Sequence, residues 1–146
     1  MVLIRAFNEG DREALRQIYT ASRGTVSQSH VTREPPGYEF DQDTLGECVY
    51  VALLDGVLAG FISIWLPDSF VHHLYVAPHL QRRGIGAALL HHGLRNCKAS
   101  VAAMPSLKCL QSNAAALAFY QRQGWDRAGE GCSPDGDYWL MRPIVP

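Results

Sequence analysis

Apolar and polar positions divide the chain into short strands and amphipathic helices. Residues 2–7 form an apolar run of strand length. Behind a capping Asn8 or Asp11, residues Ala14, Leu15, Ile18 and Tyr19 recur at the spacing of one helix face. Residues 22–43 are polar and contain Pro35-Pro36-Gly37, which predicts a loop with room for a broken second helix. Residues 48–54 and 57–65 are β-branched and aromatic runs around Asp55-Gly56, a dipeptide that accepts the positive φ angles of a type I′ hairpin turn. Residues 69–76 make a third consecutive strand, ended by Pro78. From Gly84-Ile85-Gly86 onward, Ala87, Leu90, Leu94 and Cys97 form the buried stripe of a helix reaching about residue 97. Residues 107–110 read as a short strand. Asn113 is the expected N-cap of a helix over 114–123, which Gly124 terminates. Residues 125–129 and 138–141 then pair across a loop at 131–136. This order predicts an α/β (α+β) fold, a mixed sheet carrying helices.

At 146 residues with 47% hydrophobic and 18% charged positions, the chain is expected to form a single domain over 1–146. No apolar run approaches the ~20 residues that cross a bilayer, and the N-terminus lacks the pattern of a secretory signal. Cys48, Cys97, Cys109 and Cys132 show no CxxC spacing, so reduced thiols and a cytoplasmic location are the expectation. The net charge of −1 hides an asymmetry. Residues 69–125 hold no Asp or Glu and six cations (Arg82, Arg83, Arg95, Lys98, Lys108 and Arg122), while the segments on either side are net acidic. The middle of the chain is suited to an anion, and a charge this local favours a compact polyanion over a nucleic-acid backbone.

The chemistry concentrates where the strand at 69–76 turns into the following helix. The first amides of a helix have no partner within it and sit at the positive end of its dipole, so together they make an anion site. Gly84 and Gly86 allow close approach to the backbone, and Arg82 and Arg83 add charge. A Walker-type loop would need Lys-Ser/Thr where Ala87-Ala88 stand, and a dinucleotide fingerprint would need a glycine where Leu89 stands.

Gln81-Arg82-Arg83-Gly84-Ile85-Gly86-Ala87 resembles the pyrophosphate loop of the GCN5-related N-acetyltransferase (GNAT) family. Asn113, Ala116, Phe119, Tyr120, Gly124 and Trp125 resemble a second segment of that family, in the right order and at the right separation. The first 45 residues match only in element type. The resemblance implies the acyl-CoA N-acyltransferase fold: a central, mostly antiparallel sheet splayed after its fourth strand, with helices on both faces. It implies acetyl-CoA as co-substrate, held by the backbone of Leu74, Tyr75 and Val76, by Gln81, Arg82, Arg83, Gly84, Ile85, Gly86, Ala87 and Ala88, and by Asn113, Ala116, Phe119 and Tyr120. By the same resemblance Asn113 bonds the pantetheine arm, Tyr120 is the general acid for the departing thiolate, and the Leu74 N–H polarises the thioester carbonyl.

An attacking amine must lose a proton, and the strand at 69–76 carries no carboxylate where many family members have one. His72 and His73 stand there instead. Regular alternation sends them to opposite faces, with His72 on the side of Leu74. His72 falls where some family arylalkylamine acetyltransferases carry a catalytic histidine, so it is the expected base and His73 the second choice. Strand neighbours diverge by ~180° and helix neighbours by ~100°, which argues against chelation by either adjacent histidine pair, so no metal is expected, and His91 and His92 read as an exposed helix face. The expected function is acetyl transfer from acetyl-CoA to a primary amine of a small molecule or a protein, by direct attack in a ternary complex. The alternative is a catalytically silent coenzyme A-binding regulatory module. No nucleic-acid or membrane partner is expected, and the chain is taken as a monomer or homodimer. The segments 22–43 and 132–138 are expected to wall the amine site; their acids Glu34, Glu39, Asp41, Asp43, Asp135 and Asp137 suit a cationic amine, although most of them read as solvated surface acids.

Overall fold

The computed structural model describes residues 1–26, 38–96 and 104–144. Seven strands, β1 (Val2–Ala6), β2 (Cys48–Leu54), β3 (Val57–Trp65), β4 (Phe70–Val76), β5 (Ser106–Leu110), β6 (Trp125–Ser133) and β7 (Gly136–Pro143), form one sheet in the order β1-β2-β3-β4-β5-β7-β6. Four α-helices accompany it: α1 (Arg12–Val26), α2 (Tyr38–Asp43), α3 (Ile85–Asn96) and α4 (Ala114–Arg122). Every strand pair is antiparallel except β4 with β5, which is parallel. That pairing covers only Phe70↔Ser106 and Val71↔Leu107, so β4 runs on to Val76 without β5 beside it. The splay after the fourth strand is therefore present.

Local sequence accounts for most boundaries. Asp55 and Gly56 both take positive φ (51° and 84°), giving the primed turn whose twist suits a hairpin. Gly124, at φ 86°, closes α4. The last hairpin is longer than its hydrophobic pattern, since β6 and β7 extend to a tight turn between Ser133 and Gly136. Both ends of the expected loop are helical, since residues 22–26 continue α1 and residues 38–43 form α2; residues 27–37, with Glu34, lie outside the described residues.

One core packs α3 against Ala52, Ile62, Ile64, Val71 and Leu107. The other packs Leu15, Ile18 and Tyr19 of α1 and Phe40 of α2 against Val51, Phe61 and Tyr75. Tyr19 meets Phe40, Phe61, His73 and Tyr75 edge to face at centroid distances of 5.2–6.1 Å. Asp41 is paired with both Arg12 and Arg16, which fastens α2 to α1. Cys48 is disulfide-bonded while Cys109 and Cys132 are free thiols, which corrects the expectation of reduced cysteines throughout. Among the described residues no helix is long and apolar enough to cross a membrane.

Candidate active site

The open seam beside β4 has its hydrogen-bonding groups set by strand geometry. Ala77 N–H donates to the Ala59 carbonyl at 2.7 Å, so that amide faces β3. Backbone groups of successive strand residues point to alternate sides, so Tyr75 also faces β3, and the amides and carbonyls of Leu74 and Val76 face the seam. Two contacts agree with this phase. A Cβ on Gly60 of β3 would lie 2.5 Å from the Tyr75 carbonyl oxygen, and the Gln81 side-chain amide donates to the Val76 carbonyl at 3.4 Å. The expected position of the Leu74 N–H at the open edge follows from the same alternation.

The seam opens into a cavity of about 800 Å³. Leu74, Tyr75, Val76, Gln81, Arg82, Gly84, Ile85, Gly86 and Ala87 line one side, and Asn113, Ala116, Phe119 and Tyr120 the other. Two stretches some 30 residues apart in sequence thus share one cleft. Arg83 and Ala88 do not line it; Ala88 N–H already donates to the Gly84 carbonyl in the first turn of α3.

The two glycines of the loop do different work. Arg82 and Gly84 both have positive φ (67° and 78°), and the space where a Gly84 side chain would go is open. Alternating backbone signs of this kind turn successive N–H groups toward a common concavity that suits an anion. A Cβ on Gly86, by contrast, would come within 3.3 Å of the Phe119 ring. Gly86 is small so that α4 can pack against the start of α3, which adds a packing reason to the ligand-access reason read from the sequence.

On α4, the Asn113 side-chain oxygen accepts from Ala116 N–H at 3.0 Å. That cap leaves the Asn113 side-chain NH₂ as its ligand-donating group. Tyr120 packs against Phe119 and Trp125, with ring centroids 5.1 and 6.4 Å away. Burial pushes the Tyr120 hydroxyl above the usual tyrosine range, and Cys109 and Tyr75 add to the effect. It remains a neutral proton donor at physiological pH.

The histidine pair departs from regular alternation. Ser63 pairs with His73 and the next β3 residue, Ile64, pairs with Val71, so His72 is the extra residue of a β-bulge. The bulge brings the rings of His72 and His73 to a centroid distance of 3.8 Å instead of sending them to opposite faces. His72 therefore does not share the face of Leu74, and the geometric objection to joint ligation does not hold for this pair. His72 Nδ1 lies 2.7 Å from Glu47 Oε2, and the Ser63 hydroxyl donates to the other Glu47 oxygen. His73 is buried, with Nε2 3.2 Å from the Asp43 carbonyl. On α3, His91 is exposed as expected, whereas His92 is partly covered by Tyr50 at 5.7 Å.

Glu47 was not among the expected site residues. It precedes β2, far from His72 in sequence, and only the β2–β3–β4 register carries it there. The signal available was the Asp55-Gly56 turn, whose register sets the residues at the start of β2 against the end of β3. Among the acids of the segments expected to wall the amine site, Asp41 is engaged by Arg12 and Arg16, and Asp43 accepts from the Tyr19 hydroxyl at 2.6 Å. Asp135 and Asp137 are exposed at the β6–β7 turn.

Residues 12–125 match the acetyltransferase (GNAT) family model. The chain belongs to the GNAT family. The peptidyl-lysine N-acetyltransferase YiaC of Escherichia coli is 38% identical over 71 residues, which cover 49% of this chain and 44% of that protein. The chain thus spans under half the length of that curated relative. In fold it is similar to the PaiA N-acetyltransferase of Thermoplasma acidophilum, solved with coenzyme A, at 18% identity and a TM-score of 0.77 over 99% of both chains. It is also similar to the ribosomal-protein-S18-alanine N-acetyltransferase of Escherichia coli, at 22% identity and a TM-score of 0.70 over 98% of this chain and 93% of that one. The seven-stranded mixed sheet with its β4–β5 splay is the GNAT fold.

Proposed function

We propose that residues 1–146 act as one N-acetyltransferase domain, moving the acetyl group of acetyl-CoA to a primary amine by direct attack in a ternary complex. The observation that carries this reading is the cleft between β4 and α4, where a glycine-rich anion loop meets open strand amides and the half-buried Tyr120. The amides of 84–87 and Arg82 receive the coenzyme pyrophosphate, and the seam at Leu74–Val76 receives the pantetheine arm. The Leu74 N–H donates to the thioester carbonyl as negative charge develops on its oxygen. The amine nitrogen forms a bond to the carbonyl carbon, the carbon–sulfur bond breaks, His72 takes the amine proton and Tyr120 protonates the thiolate. Glu47 orients His72 through Nδ1 and stabilises the imidazolium once it forms.

The E. coli relative's name makes the side-chain amine of a peptidyl lysine the first acceptor to test. The experiment is thiol release from acetyl-CoA by the full chain against lysine peptides, peptides with free α-amines and small amines. Acceptor-dependent release with matching N-acetyl product is expected. Coenzyme binding without release across the panel would return the chain to the coenzyme-binding module.

A further inference from the structure

Beyond acetyl transfer, the bulge in β4 builds a ligand cluster with its own chemistry. The Glu47 side chain is 5% exposed, and among the described residues no Lys or Arg pairs with it. A carboxylate that deep is stabilised by a positive partner. The ligating atoms of Glu47, His72 and His73 all lie within 4.8 Å of one another. Two imidazoles and one carboxylate suit zinc and its late first-row neighbours, and three protein ligands leave a coordination position open. Bonds of about 2.0–2.2 Å place tetrahedral ligand atoms about 3.3 Å apart, so a small rotation of the side chains admits the ion. The cation then takes the place of the proton shared by His72 Nδ1 and Glu47 Oε2 at 2.7 Å. Outer contacts that orient such ligands are already made. Ser63 holds the second Glu47 oxygen, and the Asp43 carbonyl lies 3.2 Å from His73 Nε2.

We propose that Glu47, His72 and His73 form a zinc-class divalent-metal site whose occupancy excludes acetyl transfer. The site stands on these residues alone; the exclusion rests on the reading of His72 as base, so the two are measured separately. Metal-free full-length chain is titrated with Zn²⁺ by calorimetry and with Co²⁺ by visible absorption. One equivalent binds, the Co²⁺ spectrum lacks thiolate bands, and His72→Asn or His73→Asn weakens uptake at least tenfold while Cys132→Ser leaves it unchanged. Turnover of the unaltered chain falls with the same Zn²⁺ midpoint and returns on adding EDTA. Failure to take up one equivalent, or full uptake by His72→Asn, overturns the site. If His73→Asn does not fold, the partly exposed His72 decides alone. Uptake with undiminished turnover overturns the exclusion, and a chain with no turnover still tests the site through both titrations.

Discussion

His72 Nδ1 and Glu47 Oε2 are 2.7 Å apart although 25 residues separate them in the chain. The contact joins a bulged residue of β4 to the residue just before β2, and it supplies the carboxylate that β4 itself lacks. An imidazole held at one nitrogen presents the other in a fixed orientation, so the pair has the geometry of a base with its positioning residue.

Substitution separates the two roles. His72→Asn is expected to lower kcat by about 10²-fold or more, with KM for acetyl-CoA nearly unchanged. Glu47→Gln should lower kcat by about tenfold, and Glu47→Asp should recover part of that loss. Steady-state kinetics with a saturating acceptor measure both, and a KM effect without a kcat effect would remove the pair from the chemistry.

Tyr120→Phe is expected to reduce kcat by about 10²-fold while coenzyme affinity, read by calorimetry, changes little. The raised ionisation of Tyr120 also has a stability consequence. Its contribution is fully present below the ordinary tyrosine value of about 10 and is lost as pH rises toward the higher folded value. Alkaline unfolding above about pH 10 should therefore be shallower for Tyr120→Phe than for the unaltered chain.

Gly60→Ala tests the backbone that presents the seam. The new Cβ would sit 2.5 Å from the Tyr75 carbonyl oxygen and 3.1 Å from Val76 Cα, both backbone atoms of β4. The strands must separate, at a cost of about 1–3 kcal/mol or more, and the displaced segment carries the Leu74 and Val76 amides. A lower denaturation midpoint together with weaker acetyl-CoA binding is expected. Gly84→Ala meets nothing, so its cost of about 1–2 kcal/mol comes from φ alone.

Acid stability should depend on Asp11. Both of its oxygens accept from Arg5, at 2.8 and 2.9 Å, and one accepts from Asn8 N–H at 2.9 Å. The Arg5 hydrogen bonds, with help from Asn8, hold the carboxyl below its usual range. The stabilisation is present above the unfolded value of about 3.9 and is lost as pH falls through the lower folded value. Asp11→Asn should lower stability at pH 7 by about 1–3 kcal/mol and flatten the loss below pH 4, as measured by denaturant titrations across pH.

The sequence by itself determined most of the elements and the two segments that line the cleft. Asp55-Gly56, Asn113, Gly124 and the Gly84–Gly86 turn are short-range signals, because each depends on backbone angles or caps set within a few residues. The loop and the Asn113–Tyr120 helix were legible as two segments, and the fold brought them to opposite walls of one cavity. Tertiary structure alone decided the surroundings of the histidine pair. A bulge adds one residue against the partner strand and reverses the facing of everything on one side of it, so the relation of His72 to His73 depended on pairing with β3. Glu47 reaches His72 across two strand registers, Gly86 is small because of a helix met 33 residues later, and Asp41 is committed to arginines on another helix. Each of these follows from long-range packing, where the energy lies in contacts that no local spacing encodes.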